Sequence, residues 1–246
     1  YTTFDYNYSI EILVMVVLGG MGNISGSIIS AALLTFVNVK LTHSQTLLPM
    51  AEGLFAAARL NLQDIDGLAI NAGPGSFTGV RIGISAAKGL AAARNLPCAG
   101  VSTLLSLAFN YRDTDCIVCA VMDARCNQVY NAIFEISGGK ITRLCEDRAV
   151  LCEELAENLK KVSQNGEKRV IIVGDGTDVF FPFAENIPGV CKSAPERRYQ
   201  NAVSASLAAE DIFKNNLSVT PDKLLPVYLR LPQAERELKK KKEVSL

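Results

Sequence analysis

At 246 residues, 49% of them apolar, the chain is long enough to bury a substantial core as one domain or two small ones, which excludes disorder over its whole length. Twenty-five basic residues balance 25 acidic ones, so no net field draws it to nucleic acid or an anionic membrane; contact with nucleic acid has to be local or borrowed from a partner. A single histidine, His43, excludes a multi-histidine metal centre built from this chain alone and leaves any Ser-His-Asp site only one candidate base.

The 28 residues between Glu11 and Lys40 carry no charge, a block long enough to cross a bilayer and read here as helical. Gly22, Gly26 and Ser30 stand four apart, the small-residue spacing of closely packed membrane helices. No basic region precedes the block and no small-residue cleavage site closes it cleanly, so it does not read as a signal peptide. The chain begins at Tyr1 rather than methionine and its composition changes abruptly near Asn38, which reads as a junction between two unrelated coding pieces. The alternative is an apolar helical hairpin native to the domain.

From Val39 the pattern is that of a soluble α/β protein. A helix is predicted over Ser44 to Arg59, with an apolar stripe at Leu47, Leu48, Leu54, Phe55 and Ala58 and Pro49 tolerated only near the first turn. His43 precedes the stripe, as a cap, a packing residue or a partner contact. A strand over Gly67 to Asn71 then delivers the loop Gly73-Pro-Gly-Ser-Phe-Thr-Gly79, whose glycines allow close backbone approach while Ser76 or Thr78 caps the next helix. Gly73, Gly75, Ser76, Thr78 and Gly79 therefore form a candidate anion loop, although the Gly-Lys-Ser/Thr ending of a Walker loop is missing. The helix Gly79 to Arg94 has one apolar row at Val80, Ile84, Ala87 and Ala91 and a second row at Gly79, Gly83, Ala86 and Leu90. A helix apolar on two sides has to bury two sides, so the small row invites a neighbouring helix, with Arg81 and Lys88 as rim contacts.

Strands follow at Cys116 to Asp123 and Gln128 to Ile136, joined by a tight turn over Ala124 to Asn127 that accounts for Asp123 and Arg125 as turn chemistry and a local ion pair. The seven cysteines are odd in number and scattered, the usage of reduced thiols in a cytosolic protein. Cys116 and Cys119 lie three apart on one strand, point to opposite faces and cannot chelate one ion. A strand at Arg169 to Val173 leads into a second glycine turn, Gly174-Asp-Gly176, at a strand end where α/β folds often bind ligands. Pro226-Val-Tyr-Leu-Arg230 reads as a packed extended segment, and Lys239 to Lys242 as part of a solvated charged tail.

Two resemblances follow. Tyr8-Ser-Ile-Glu-Ile-Leu-Val-Met-Val-Val-Leu-Gly-Gly-Met-Gly-Asn-Ile-Ser-Gly-Ser27, within residues 1 to about 37, resembles an internal piece of a LivM-type branched-chain amino-acid transporter permease. Leu41-Thr-His-Ser-Gln-Thr-Leu-Leu-Pro49, Gly73-Pro-Gly-Ser-Phe-Thr-Gly-Val-Arg-Ile-Gly83, Lys88-Gly-Leu90, Gly100-Val-Ser-Thr103, Asp123-Ala-Arg125 with Val129-Tyr130, and Pro226-Val-Tyr-Leu-Arg230 together resemble the TsaB (YeaZ) family over residues 39 to about 232. That second resemblance implies an actin-like and Hsp70-like two-lobed α/β fold of ribonuclease H type, divided as residues 1–38, 39–100, 101–232 and a tail 233–246. In such proteins the first strands precede the Leu-Thr-His-Ser-Gln helix; the apolar segment standing in their place would leave Gly67 to Asn71 an unpaired sheet edge.

The resemblance further implies a non-catalytic cytoplasmic scaffold for TsaD, which forms N6-threonylcarbamoyladenosine at position 37 of tRNAs reading ANN codons, with the ATPase TsaE in the same assembly and tRNA held through the complex. No cofactor is expected in this chain, because ATP and metal belong to the partner subunits. TsaD carries two metal-binding histidines where this chain has Thr103 and Leu107, neither of which replaces an imidazole in such a site. The helices over 44–59 and 79–94 are implied as the bundle with TsaD or a second copy, which marks His43, Leu47, Leu48, Met50, Arg81, Gly83, Ala87 and Lys88 as interface candidates. The alternatives are a nucleotide-dependent enzyme or peptidase-like member of the same fold, and a membrane transport component through residues 1–37.

Overall fold

The computed structural model describes residues 16–19, 43–163 and 166–230, with side chains described from Leu47 onward. Its first sheet has the order β1 (Val16–Gly19), β2 (Ile65–Gly73), β3 (Cys98–Ser102), with β1 antiparallel and β3 parallel to β2. Helix α1 (His43–Ala58) precedes β2, and α2 (Phe77–Ala92) makes the crossover from β2 to β3. Then comes α3 (Thr103–Ala108), followed by a five-stranded second sheet containing β4 (Cys116–Arg125), β5 (Gln128–Ser137), β6 (Lys140–Leu151), β7 (Val170–Val173) and β8 (Val190–Lys192) in the order β6-β5-β4-β7-β8. Strands β4, β5 and β6 form an antiparallel meander, whereas β7 and β8 add in parallel beyond β4. Helices α4 (Cys152–Val162) and α5 (Thr177–Ala184) belong to this second half, and α6 (Ala202–Lys214) returns to the first.

Both sheets are buried on both faces, which is why their central strands read as near-continuous apolar runs rather than as alternation. On one face of the first sheet Leu68, Ile70 and Ala72 meet Val80, Ile84, Ala87 and Ala91 of α2. On the other, Ala69, Ala99 and Val101 meet Ala205, Ala208 and Ala209 of α6, so small side chains on both partners let helix and sheet approach closely. In the second sheet Ile117, Cys119 and Val121 pack under Leu155 and Leu159 of α4 and Phe180 and Ala184 of α5. Cys116, Val118, Ala120 and Met122 face Leu104 and Leu107 of α3. Cys116 and Cys119 thus fall in different cores, as the two-residue period of a strand requires.

Helices α3 and α6 pack on each other and form a shared layer between the sheets. Asn110, just past α3, pins that layer: its Nδ2 donates to the carbonyls of Arg197 (3.0 Å) and Tyr199 (2.8 Å), while its Oδ1 accepts from Asn201 Nδ2 (2.9 Å) and Ser204 Oγ (2.5 Å) at the start of α6. Across the layer Ser102 Oγ, at the end of β3, donates to Asp147 of β6 at 2.6 Å.

Several elements depart from the sequence expectations. The edge of β2 is not unpaired, because Val16–Gly19 pairs with it antiparallel; these four residues of the apolar block are strand where a helix was expected. The rest of the permease-like segment, and the tail from 231, lie outside the described residues. Among the described residues no helix is long and apolar enough to cross a membrane. Helix α1 begins at His43, which puts Pro49 beyond the first turn, inside the helix. Strand β6 went unread because an edge strand rich in Lys, Arg, Glu and Asp alternates only weakly between half-buried and exposed positions.

Phe180 is fully buried between α5, α4 and the second sheet. Phe180→Ala is expected to cost about 3–5 kcal/mol through lost burial and the cavity left behind, read as a lower urea midpoint with an unchanged slope.

Candidate partner-binding surface

Ser76 caps α2: its Oγ accepts from the Gly79 N–H at 3.4 Å and its carbonyl from the Val80 N–H at 2.9 Å. The helix then sinks the Val80, Ile84, Ala87, Ala91 row onto β2, and Gly83 is buried as well. Helix α1 lies against the same core through Ala51 and Phe55, with Leu54 buried. Of the predicted interface residues, Leu48 is 48% exposed, Leu47 and Met50 are half-buried on α1, and the side chain of His43 is outside the described residues. Gly83 and Ala87 require correction. Both are enclosed within the chain, Ala87 in the core on β2, and neither offers surface to a second protein.

Arg81 and Lys88 share a flank of α2 as expected, but both are engaged by the chain's own end. The Arg81 Nε donates to Tyr228 Oη at 2.9 Å, and its guanidinium lies 4.0 Å from the centre of the Phe77 ring. Phe77 and Tyr228 are themselves tilted together at 4.9 Å between ring centres. Lys88 Nζ donates to the Asp222 carbonyl at 3.0 Å. The intervening Leu224 is buried in the core of the first sheet, whereas Leu225, Val227 and Tyr228 are exposed. Residues 221–230 therefore form a strap along α2 with buried anchors and outward side chains. Sequence reasoning singled out Pro226 to Arg230 as packed; the residues that hold it were assigned to a partner instead, because no local pattern reports a contact across more than a hundred residues.

The strap also crosses the glycine loop. The Val227 N–H donates to the Ala72 carbonyl at 2.7 Å, and a Cβ built on Gly73, whose φ is +124°, would collide with the Val227 carbonyl. Gly73 is thus demanded by the strap's approach. Gly75 is half-buried, Ser76 and Thr78 are exposed, and Gly79 is buried with its N–H spent on the Ser76 cap. Gly73 serves packing of the chain on itself, and the strap places a carbonyl oxygen, not a donor, over it.

The second glycine turn packs on the end of β4. A side chain at Gly174 (φ +114°) would strike the Val121 carbonyl, and one at Gly176 would meet the Met122 backbone at 2.8 Å. Between them Asp175 is half-buried as a residue, but its Oδ1 is shielded from solvent and has no hydrogen-bond partner among the described residues. Burial raises its carboxyl to about 6, with the neighbouring Asp123 adding to the rise. Asp123 accepts the Arg125 N–H at 2.7 Å and pairs with the Arg125 guanidinium at 3.2 Å, the turn and ion pair expected from sequence. Thr103 and Leu107 are both fully buried on α3, and Leu107 sits against Gly174. Both side-chain atoms of Asn71 and the hydroxyl of Thr103 are likewise buried without partners among the described residues.

A family model described as TsaD: tRNA N6-adenosine threonylcarbamoyltransferase matches residues 38–238. The tRNA threonylcarbamoyladenosine biosynthesis protein TsaB of Bacillus subtilis (strain 168) is 30% identical over 197 residues, covering 80% of this chain and 83% of that protein. The protein of the same name from Escherichia coli (strain K12) is 34% identical over 194 residues, covering 72% and 82%. Among solved structures, YeaZ from Pseudomonas aeruginosa superposes with a TM-score of 0.67 at 29% identity, covering 77% of this chain and 86% of that one. The matched family residues begin at 38, so the transport alternative stands on residues 1–37 alone.

The buried carboxyl gives a pH test. An Asp whose value is near 3.9 unfolded and about 6 folded takes up a proton on folding between pH 4 and 6, so stability present below pH 4 is lost as pH rises through 6. Asp175→Asn removes that penalty. It is expected to raise the unfolding free energy by about 1–3 kcal/mol at pH 8 and to leave it nearly unchanged at pH 4, measured by thermal unfolding at both values.

Proposed function

The chain belongs to the TsaB family of tRNA threonylcarbamoyladenosine biosynthesis proteins, and on that premise we propose that it is the non-catalytic subunit that supports a TsaD-like catalytic subunit in forming N6-threonylcarbamoyladenosine on tRNA. The observation that carries this reading is the similarity to TsaB proteins over about four-fifths of their length, joined to the donor chemistry of α3. Where the resemblance puts a pair of metal-binding histidines, this chain buries a hydroxyl and an isobutyl group, Thr103 and Leu107. ATP and metal then belong to the partner subunits, a TsaE-like ATPase among them. The balanced charge of 25 against 25 supports tRNA contact through the complex rather than by this chain alone. This chemistry belongs in the cytoplasm.

The partner surface is read on α1 and the exposed flank of α2, centred on Leu48 with Leu47 and Met50 beside it. An apolar side chain 48% exposed on a helix that is only partly packed on its own core is suited to a helix–helix contact, where a few anchors carry most of the free energy. A second copy of the chain would compete for the same helices. Neither the anion loop nor the second glycine turn is needed for this role.

Leu48→Asp is expected to weaken binding to the TsaD-like subunit at least tenfold with little change in melting temperature, measured by titration calorimetry with size-exclusion chromatography of the mixture. Co-elution of the unsubstituted chain with that subunit, with no threonylcarbamoyl transfer by the chain alone, is the outcome the reading requires. Separate elution at micromolar concentration, or transfer by the isolated chain, would remove it.

A further inference from the structure

The geometry points to residues 221–230 as a latch that holds the carboxyl ends of the two sheets together. This goes beyond the subunit reading and does not rest on it. The strap is fixed to the first half by Leu224 in the core, by the Val227 N–H on the Ala72 carbonyl, and by Arg81 and Lys88 of α2 on Tyr228 and Asp222. At its far end the Arg230 guanidinium donates to the Ala124 carbonyl, at the end of β4 in the second sheet. The steps from Val227 to Arg230 span at most about 11 Å of main chain, so the ends of β2 and β4 are drawn close together.

Polar groups are buried at those ends. Asn71 stands two residues before the end of β2, Thr103 directly after β3, and Asp175 two residues after β7. Asn71 and Thr103 carry buried polar atoms without partners among the described residues, and so does Asp175 at its Oδ1, although its carboxyl accepts the backbone N–H groups of Asp123 and Gly176. Water reaching these strand ends could hydrogen-bond each of these groups, which favours parting of the ends once the strap is released. A strap with one end on each sheet, beside strand ends that carry buried polar atoms, fits a closure maintained by the strap. The layer of α3 and α6 serves as the base on which the sheets would part.

The test is hydrogen exchange of the full chain, read by mass spectrometry, in Arg230→Ala and separately in Val227→Pro, which removes the N–H that Ala72 accepts. Exchange over residues 71–73, 102–106 and 174–176 is expected to rise at least tenfold in either variant, with α4 and α5 unchanged and Arg230→Lys falling between Arg230→Ala and the unsubstituted chain. Unchanged exchange in those stretches overturns the latch, and so does a uniform rise across the chain, which would report lost global stability. Failure of both variants to fold would make the strap part of the core and overturn it equally.

Discussion

Two sheets, each apolar on both faces, share one layer of helices, and this sharing is the constraint from which the rest of the molecule follows. Each sheet needs two covers. Helix α2 with α1, and helices α4 with α5, supply the outer ones. The inner ones are α3 and α6, which must fit each other as well as their sheets. That demand explains the alanines of α6 facing the alanines of β2 and β3, and the concentration of side-chain hydrogen bonds on Asn110, where the helices meet. It also leaves α1 the least committed element: an outer helix with one buried leucine and another half in solvent is the natural place for a second protein to pack.

Much of this was legible in the residues. The apolar run into Gly73-Pro-Gly-Ser located β2, the loop and the start of α2, and the paired runs around Ala124 to Asn127 located the β4–β5 hairpin. Local signals are strong there because turn chemistry and strand period agree. Strand β3 and helix α3, five and six residues long, were too short for a period to declare itself. The destination of Arg81 and Lys88 was hidden for a different reason: a cation on an exposed helix flank looks the same whether a second protein or a distant stretch of the same chain will meet it. Gly83 shows the converse: a member of the small row that invites a neighbouring helix is buried by the chain itself.

The family assignment rests on similarity to TsaB proteins along most of the chain, and the burial of Thr103 and Leu107 agrees with it. The positions that would have to supply imidazoles are packing residues, and the glycine loop faces a segment of the same chain. On the proposed reading, a fold whose relatives include catalysts is used for its surfaces. Its interior is free to be filled, as Leu107 against Gly174 illustrates.

The β4–β5 hairpin turns on Cys126 and Asn127, both left-handed with φ of +57° and +54°, following Arg125 at +65°. Such a turn is normally given to Asn and Gly, and a cysteine there stands out from the body of the molecule. The other six cysteines are buried or half-buried, so Cys126 is the one exposed thiol. It lies two residues from the carbonyl that receives Arg230. The chain therefore carries a natural attachment point for a fluorophore or spin label beside the contact between Arg230 and the end of β4, and the surroundings of that contact can be followed in solution without altering a single residue.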